Sequence, residues 1–180
     1  MFVSGMTNQV EPITEAFKGI DIDHAYIHLG IRFSAFSKDT IAAGGTLAFG
    51  FKTPATGAIH YRLAGITASA DKIDTQIFEG ATFTAATGTL ITASNRNRLS
   101  AITSVIELRR SPTFTVLGTL LDAFSTWLPG TVGSGQVRSG SSGESTTEII
   151  LKQNTTYRFL ATNGSSVANV MGFNFQWYEQ

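Results

Sequence analysis

The alternation that closes the chain constrains its fold more than any other feature. From Val170 to Trp177, Met171, Phe173, Phe175 and Trp177 face one way, and Val170, Gly172, Asn174 and Gln176 the other. A period of two is what a pleated strand with one buried face requires. Two extended runs precede it: Glu148–Leu151, largely β-branched, and Tyr157–Thr162, which alternates again. Lys152-Gln153-Asn154-Thr155 and Asn163-Gly164-Ser165-Ser166 supply the turns between them. These three strands read as a meander whose aromatic face must be covered by a second sheet. The spacing Leu151…Tyr157 fits a tyrosine corner, in which the hydroxyl ties a turn to upstream backbone, or an ordinary half-buried strand Tyr.

Upstream, the same period recurs. Tyr26–Phe36 reads as a strand with Ile27, Leu29, Ile31 and Phe33 inward and His28, Arg32 and Ser34 outward. Thr46–Lys52 alternates through Leu47, Phe49 and Phe51, and Ala58–Ala64 through Ile59, Tyr61 and Leu63, with Gly65 marking a bulge. Lys72–Glu79, Ala101–Arg109 and Phe114–Phe124 complete the extended runs, with a short strand expected at Gly88–Thr92 inside a polar connection. Thr131–Thr147, rich in Gly, Ser and Thr, reads as an exposed loop tip. Short strands with turns every 8 to 12 residues indicate an all-β, antiparallel β-sandwich or jelly roll. The body is expected over residues 24–180 and an N-terminal arm over 1–23. The arm places Phe2, Val3, Met6, Val10, Ile13 and Phe17 where a free terminus would not leave them in water, so it is expected to lie on the body or reach a neighbour.

Thirteen Phe within 180 residues suffice for one sizeable core. Lys+Arg 13 against Asp+Glu 13 gives a net charge of zero, and so no electrostatic case for nucleic acid or an anionic membrane. No basic, apolar leader resembles a signal peptide, and no apolar window is long enough for a spanning helix. The absence of Cys removes disulfides and thiol chemistry and points to a reducing compartment.

Catalytic and metal-binding patterns are thin. His24 and His28 stand four apart, but on a strand they do not form the paired-histidine face of a zinc helix. Asp21, Asp23 and His24 form the best metal-like cluster, yet lack the Gly and distal Glu of a calcium loop. No GxSxG occurs, and Gly133-Ser134-Gly135 has no strand–helix elbow around it. Glu107 and Glu148 could converge as a glycosidase pair, although Glu107 is better read as pairing with a cation on a neighbouring strand. Neither a P-loop nor a dinucleotide fingerprint is present. These readings imply no enzyme, no cofactor and no small-molecule substrate. Arg96, Arg98, Arg109 and Arg110 form the one basic concentration, suited to carboxylates at a protein interface or to a solvated edge. The sequons at Asn154 and Asn163 are the kind that chance supplies in a Thr- and Asn-rich chain.

Four stretches resemble a family of small structural proteins encoded beside the head genes of tailed bacteriophages. They are Ile27-His28-x-Gly30-x-x-Phe33 and Glu79-Gly80 followed by Gly88-Thr89-Leu90-x-Thr92-Ala93-x-Asn95-Arg96-Asn97-Arg98. Next come Val137-Arg138-Ser139-Gly140 leading to Ile150-Leu151-Lys152-x-Asn154-Thr155-x-Tyr157, and finally Phe175-x-Trp177-Tyr178-Glu179. Leu29 stands where the family has a polar residue, which suggests a more buried strand here. The resemblance implies a capsid decoration, or cement, protein. Such a protein is made in the host cytoplasm and resides on the virion surface, as a homotrimer bound to the major capsid protein. Phe2, Val3, Met6, Val10, Ile13, Phe17, Arg96, Arg98 and Arg138 are then the candidate contact residues. The competing expectation is a carbohydrate-binding or adaptor module of a tail, collar or fibre, stacking sugars on Trp127, Tyr61 or Trp177.

Overall fold

The computed structural model describes residues 9–10, 17–18, 22–68, 72–127, 138–140 and 148–180. The first elements are β1 (Gln9–Val10), β2 (Phe17–Lys18), α1 (Ile22–His28), β3 (Arg32–Ile41), β4 (Thr46–Lys52), β5 (Ile59–Ala68) and β6 (Lys72–Glu79). Then come β7 (Thr82–Phe83), β8 (Thr89–Leu90), β9 (Ser94–Asn95), β10 (Glu107–Arg110) and β11 (Phe114–Val116). The last are β12 (Thr119–Trp127), β13 (Arg138–Gly140), β14 (Ile149–Leu151), β15 (Thr156–Asn163) and β16 (Asn169–Glu179). Two antiparallel sheets carry the body, ordered β12-β6-β15-β4-β10-β8 and β13-β5-β16-β3-β9, with β14 also on β5. Two-stranded ribbons, β1 with β2 and β7 with β11, are added to these. None of the described helices is long and apolar enough to cross a membrane.

The expected all-β sandwich is the observed architecture. Phe49 on β4 meets Phe173 and Phe175 on β16 edge-on, with centroids 5.3 and 5.0 Å apart. Phe51 meets Tyr61 and Trp177 of the facing sheet at 5.4 and 5.5 Å. Each such ring, fully buried, contributes roughly 1.5–3 kcal/mol, and the edge-to-face contact adds about 0.5–1.5. Met171, Phe173, Phe175 and Trp177 all lie in this core, as their alternation requires.

The closing strands are not a meander. β14 and β16 belong to one sheet, while β15 belongs to the other between β4 and β6. Their aromatic faces therefore cover one another across the sandwich; Tyr61 and Phe175 both pack against Phe159 of β15. The long strands follow the same rule. β3 pairs with β16 and β16 with β5, while β4 pairs with β15 and β15 with β6. Each sheet is thus built from strands far apart in sequence. At Gly65 the expected bulge is present: Asn174 opposes Gly65 and Phe175 opposes Leu63.

The run Tyr26–Phe36 divides into helix and strand. Gly30, at φ +71°, takes the left-handed conformation that ends α1. Its amide reaches Ile27 O at 2.9 Å and the Ile31 amide reaches Tyr26 O at 3.2 Å, the paired bonds of a glycine C-cap. The strand starts at Arg32, with Phe33 and Ala35 buried, and Leu29 is 60% exposed rather than inward. The expected boundary between residues 23 and 24 falls inside α1. Ala101–Arg109 is strand only from Glu107, and Arg138–Gly140, expected in a loop, pairs with Ile66–Ala68.

Candidate functional site

One end of the sandwich brings together the end of α1, the loop after β9 and the end of the C-terminal strand, and with them Arg96 and Arg98 of the residues that sequence singled out. Asn95 ends the short edge strand β9 and is 8% exposed. Its side-chain amide donates to Gly30 O at 2.8 Å and Ile102 O at 2.9 Å, while its carbonyl accepts the Asn97 amide at 2.9 Å. Asn97 repeats the device, donating to His28 O at 3.1 Å and accepting from the Leu99 amide at 3.1 Å. The 96–102 loop is thereby fastened to the end of α1. A Cβ on Gly30 would stand 2.4 Å from Ser100 Oγ, so the approach itself requires glycine.

The C-terminal strand holds the rest of the loop. Glu179 accepts from Ser104 Oγ at 2.6 Å, from the Val105 amide at 3.2 Å and from Trp177 Nε1 at 2.9 Å. On this frame sit apolar side chains that face solvent. Leu99 is 98% exposed, Leu29 and Val105 60%, and Ile102 50%. Arg96 and Arg98 are exposed beside them. Exposed apolar side chains grouped on a rigid loop mark a contact surface more often than scattered ones do.

A second polar cluster lies behind α1 on the outer face of β5 and β16. Glu148 Oε1 accepts from Tyr178 Oη at 2.7 Å and stands 2.7 Å from His60 Nδ1, while Oε2 lies 3.4 Å from Arg62 Nη2. Tyr178 stacks between His60, at 4.3 Å, and Tyr26 of α1, at 4.4 Å. Burial pushes the Glu148 carboxyl up, but the bonds from Tyr178 and His60 and the charges of His60 and Arg62 outweigh it and hold it below its ordinary value. The recess these groups share with Arg32, Gln176 and Trp177 encloses about 10 Å³, room for one water molecule and not for a sugar ring. Its residues cross-link β5, β14, β16 and α1 behind the exposed loop.

Several candidate residues land elsewhere. Phe2, Val3, Met6, Ile13 and Asp21 lie outside the described residues. Val10 and Phe17 are register partners in β1–β2. Arg138 opposes Ala68 at a sheet edge. Arg109 and Arg110 sit on β10 of the other sheet, engaged with Glu107 and Asp39, so the four arginines do not act as one patch. Glu107 pairs within its own strand, with Arg109, and not across to a neighbour. It shares no site with Glu148, whose carboxylate meets His60 and Tyr178 of the opposite sheet. Tyr61 and Trp177 are each 1% exposed and offer no sugar platform; the side chain of Trp127 lies outside what is described. Asn163 is fully buried, its amide bonded to Ile41 O, Ala42 O and Val167 O, so that sequon is closed to glycosylation. His24 and His28, expected apart on a strand, share one face of α1 with Nε2 atoms 3.1 Å apart.

Sequence reasoning missed the roles of His60, Arg62, Tyr178 and Glu179. For His60, Arg62 and Tyr178 the signal was an outward position on strands whose alternate residues are core, but only the register Tyr178↔His60 and Gln176↔Arg62 brings them together. No family model, no curated protein and no solved structure matches this chain.

Proposed function

We propose that this protein is a structural component of a tailed-phage virion that binds the outer surface of the capsid and bridges neighbouring shell subunits. One observation carries the reading. Leu99, Ile102 and Val105 are presented to solvent with Arg96 and Arg98 on a loop fixed by Asn95, Asn97 and Glu179, and Leu29 is exposed at the end of α1 to which that loop is tied. Apolar anchors with arginine at the rim are the composition of a protein interface, and a loop ordered beforehand lowers the entropy lost on binding. Three of the four stretches that resemble head-gene proteins contribute to this end of the molecule: Ile27–Phe33 through the α1 cap, Asn95–Arg98, and Trp177–Glu179. In this reading the body is a jelly roll, the arm with Phe2, Val3, Met6, Val10, Ile13 and Phe17 adds a second contact, and the protein acts as a homotrimer at a symmetry axis of the shell. Interfaces of roughly 800 Å² per partner, repeated over the shell, combine by avidity.

Co-sedimentation with empty capsids tests this directly. The wild-type protein is expected to pellet with capsids and to run as a trimer by light scattering. A Leu99→Asp, Ile102→Asp double variant and a deletion of residues 1–17 are expected to keep the circular dichroism of the sandwich and to lose capsid binding. Decoration by the double variant removes the platform from the reading, and decoration by the truncated chain removes the arm.

A further inference from the structure

We infer that His24 and His28 form a surface site for a divalent transition-metal ion, with Cu²⁺ or Zn²⁺ as the fitting class. Their positions on successive turns of α1 bring the two Nε2 atoms to 3.1 Å, with ring planes 17° apart. Both side chains are exposed, so neither is used to build the core. Two imidazole nitrogens each about 2.0–2.1 Å from one ion, at about 90–110°, stand roughly 2.9–3.4 Å apart. The Nε2 separation of the pair already matches the bite that such an ion needs. Neutral imidazole suits copper, nickel and zinc rather than calcium or magnesium, with copper taken most tightly. No group of three or more His, Cys, Asp or Glu able to hold a metal occurs among the described residues. Water or a second copy of this chain can fill the remaining coordination positions, and the ion is then exchangeable.

This inference is independent of capsid binding. Isothermal titration of the full chain with ZnCl₂ and CuCl₂, in a buffer that does not chelate, tests it. One saturable site is expected, filled by one ion per chain or one per two chains. His24→Ala and His28→Ala should each weaken binding at least tenfold, whereas His60→Ala, on the far side of Tyr178, should leave it within twofold. Light scattering with and without Zn²⁺ distinguishes water from a second copy as the completing ligand, and either result keeps the site. Absence of saturable uptake by the wild-type chain overturns the inference. So does unchanged affinity in the His24→Ala, His28→Ala double variant, with matching circular dichroism spectra showing that both chains are folded.

Discussion

Tyr61 and Tyr157 both bury their rings in the core, but their hydroxyls meet different surroundings. Tyr157 Oη accepts the Lys152 amide at 2.8 Å and donates to Glu79 Oε2 at 3.1 Å. Burial pushes its phenol up, and although the Lys152 amide opposes this, Glu79 adds to it and the value reaches about 12. The Tyr61 hydroxyl is buried with no partner among the described residues, and burial raises its phenol well above the ordinary value. Removing a satisfied buried hydroxyl strands its partners, whereas removing an unsatisfied one relieves a desolvation cost. Tyr157→Phe is expected to lower stability by about 1–3 kcal/mol, and Tyr61→Phe to leave it unchanged or raise it by up to about 1 kcal/mol. Urea denaturation of the two variants checks both signs. A loss at Tyr61 as large as at Tyr157 refutes the distinction.

Among elements, the loop between β9 and β10 shows how irregular backbone is held in place. It has almost no ladder of its own, so the side chains of Asn95, Asn97, Ser104 and Glu179 satisfy its amides. Asn95→Ala removes two donated bonds and one accepted bond at a nearly buried position, and should cost about 1–3 kcal/mol. Faster hydrogen exchange at the Asn97 and Leu99 amides should accompany the loss, while the β16 ladder stays protected. Uniform exchange over the whole molecule would mean that the loop is part of the global unit and not a separately fastened one. The tyrosine corner belongs to this scale too. The Tyr157 hydroxyl ties the β14–β15 turn, and Thr53 Oγ1 holds the other side through Lys152 O at 2.7 Å and Thr155 O at 3.0 Å.

For the molecule as a whole, three depressed carboxylates among the described residues contribute to the response to acid. Hydrogen bonding from Ser125 lowers Asp74, and the Lys152 ammonium lowers Glu79. Burial opposes the shift at Glu148, where Tyr178, His60 and Arg62 together overcome it. A group whose folded pKa is depressed binds fewer protons folded than unfolded. Its stabilisation is full above the ordinary value, 4.5 for Glu148, and disappears as pH falls through the folded value. Stability is therefore expected to fall on acidification below about pH 5. Glu148→Gln should lower the neutral-pH plateau and flatten that acid limb when unfolding is followed across pH. The wild-type pH slope in that variant would assign the acid response to other groups.

The aromatic alternation of Leu47–Phe51 and Met171–Trp177 was enough to specify strands, their buried faces and a two-sheet core, because burial imposes a period of two on any strand with one wet face. Turn residues placed most strand ends for equally local reasons. Local pattern failed where conformation depends on distant contact. Ile27, Leu29, Ile31 and Phe33 alternate in sequence, but Gly30 against Ser100 breaks that run into helix and strand. A meander and strands divided between two facing sheets have the same local sequence, since only pairing between β15 and the distant β4 and β6 separates them. The Glu148 cluster, the Asn95 clasp and the histidine pair likewise join residues from different strands or a helix turn. Period and composition thus decided that this chain is a β-sandwich, and register between strands far apart in sequence decided which surface residues meet.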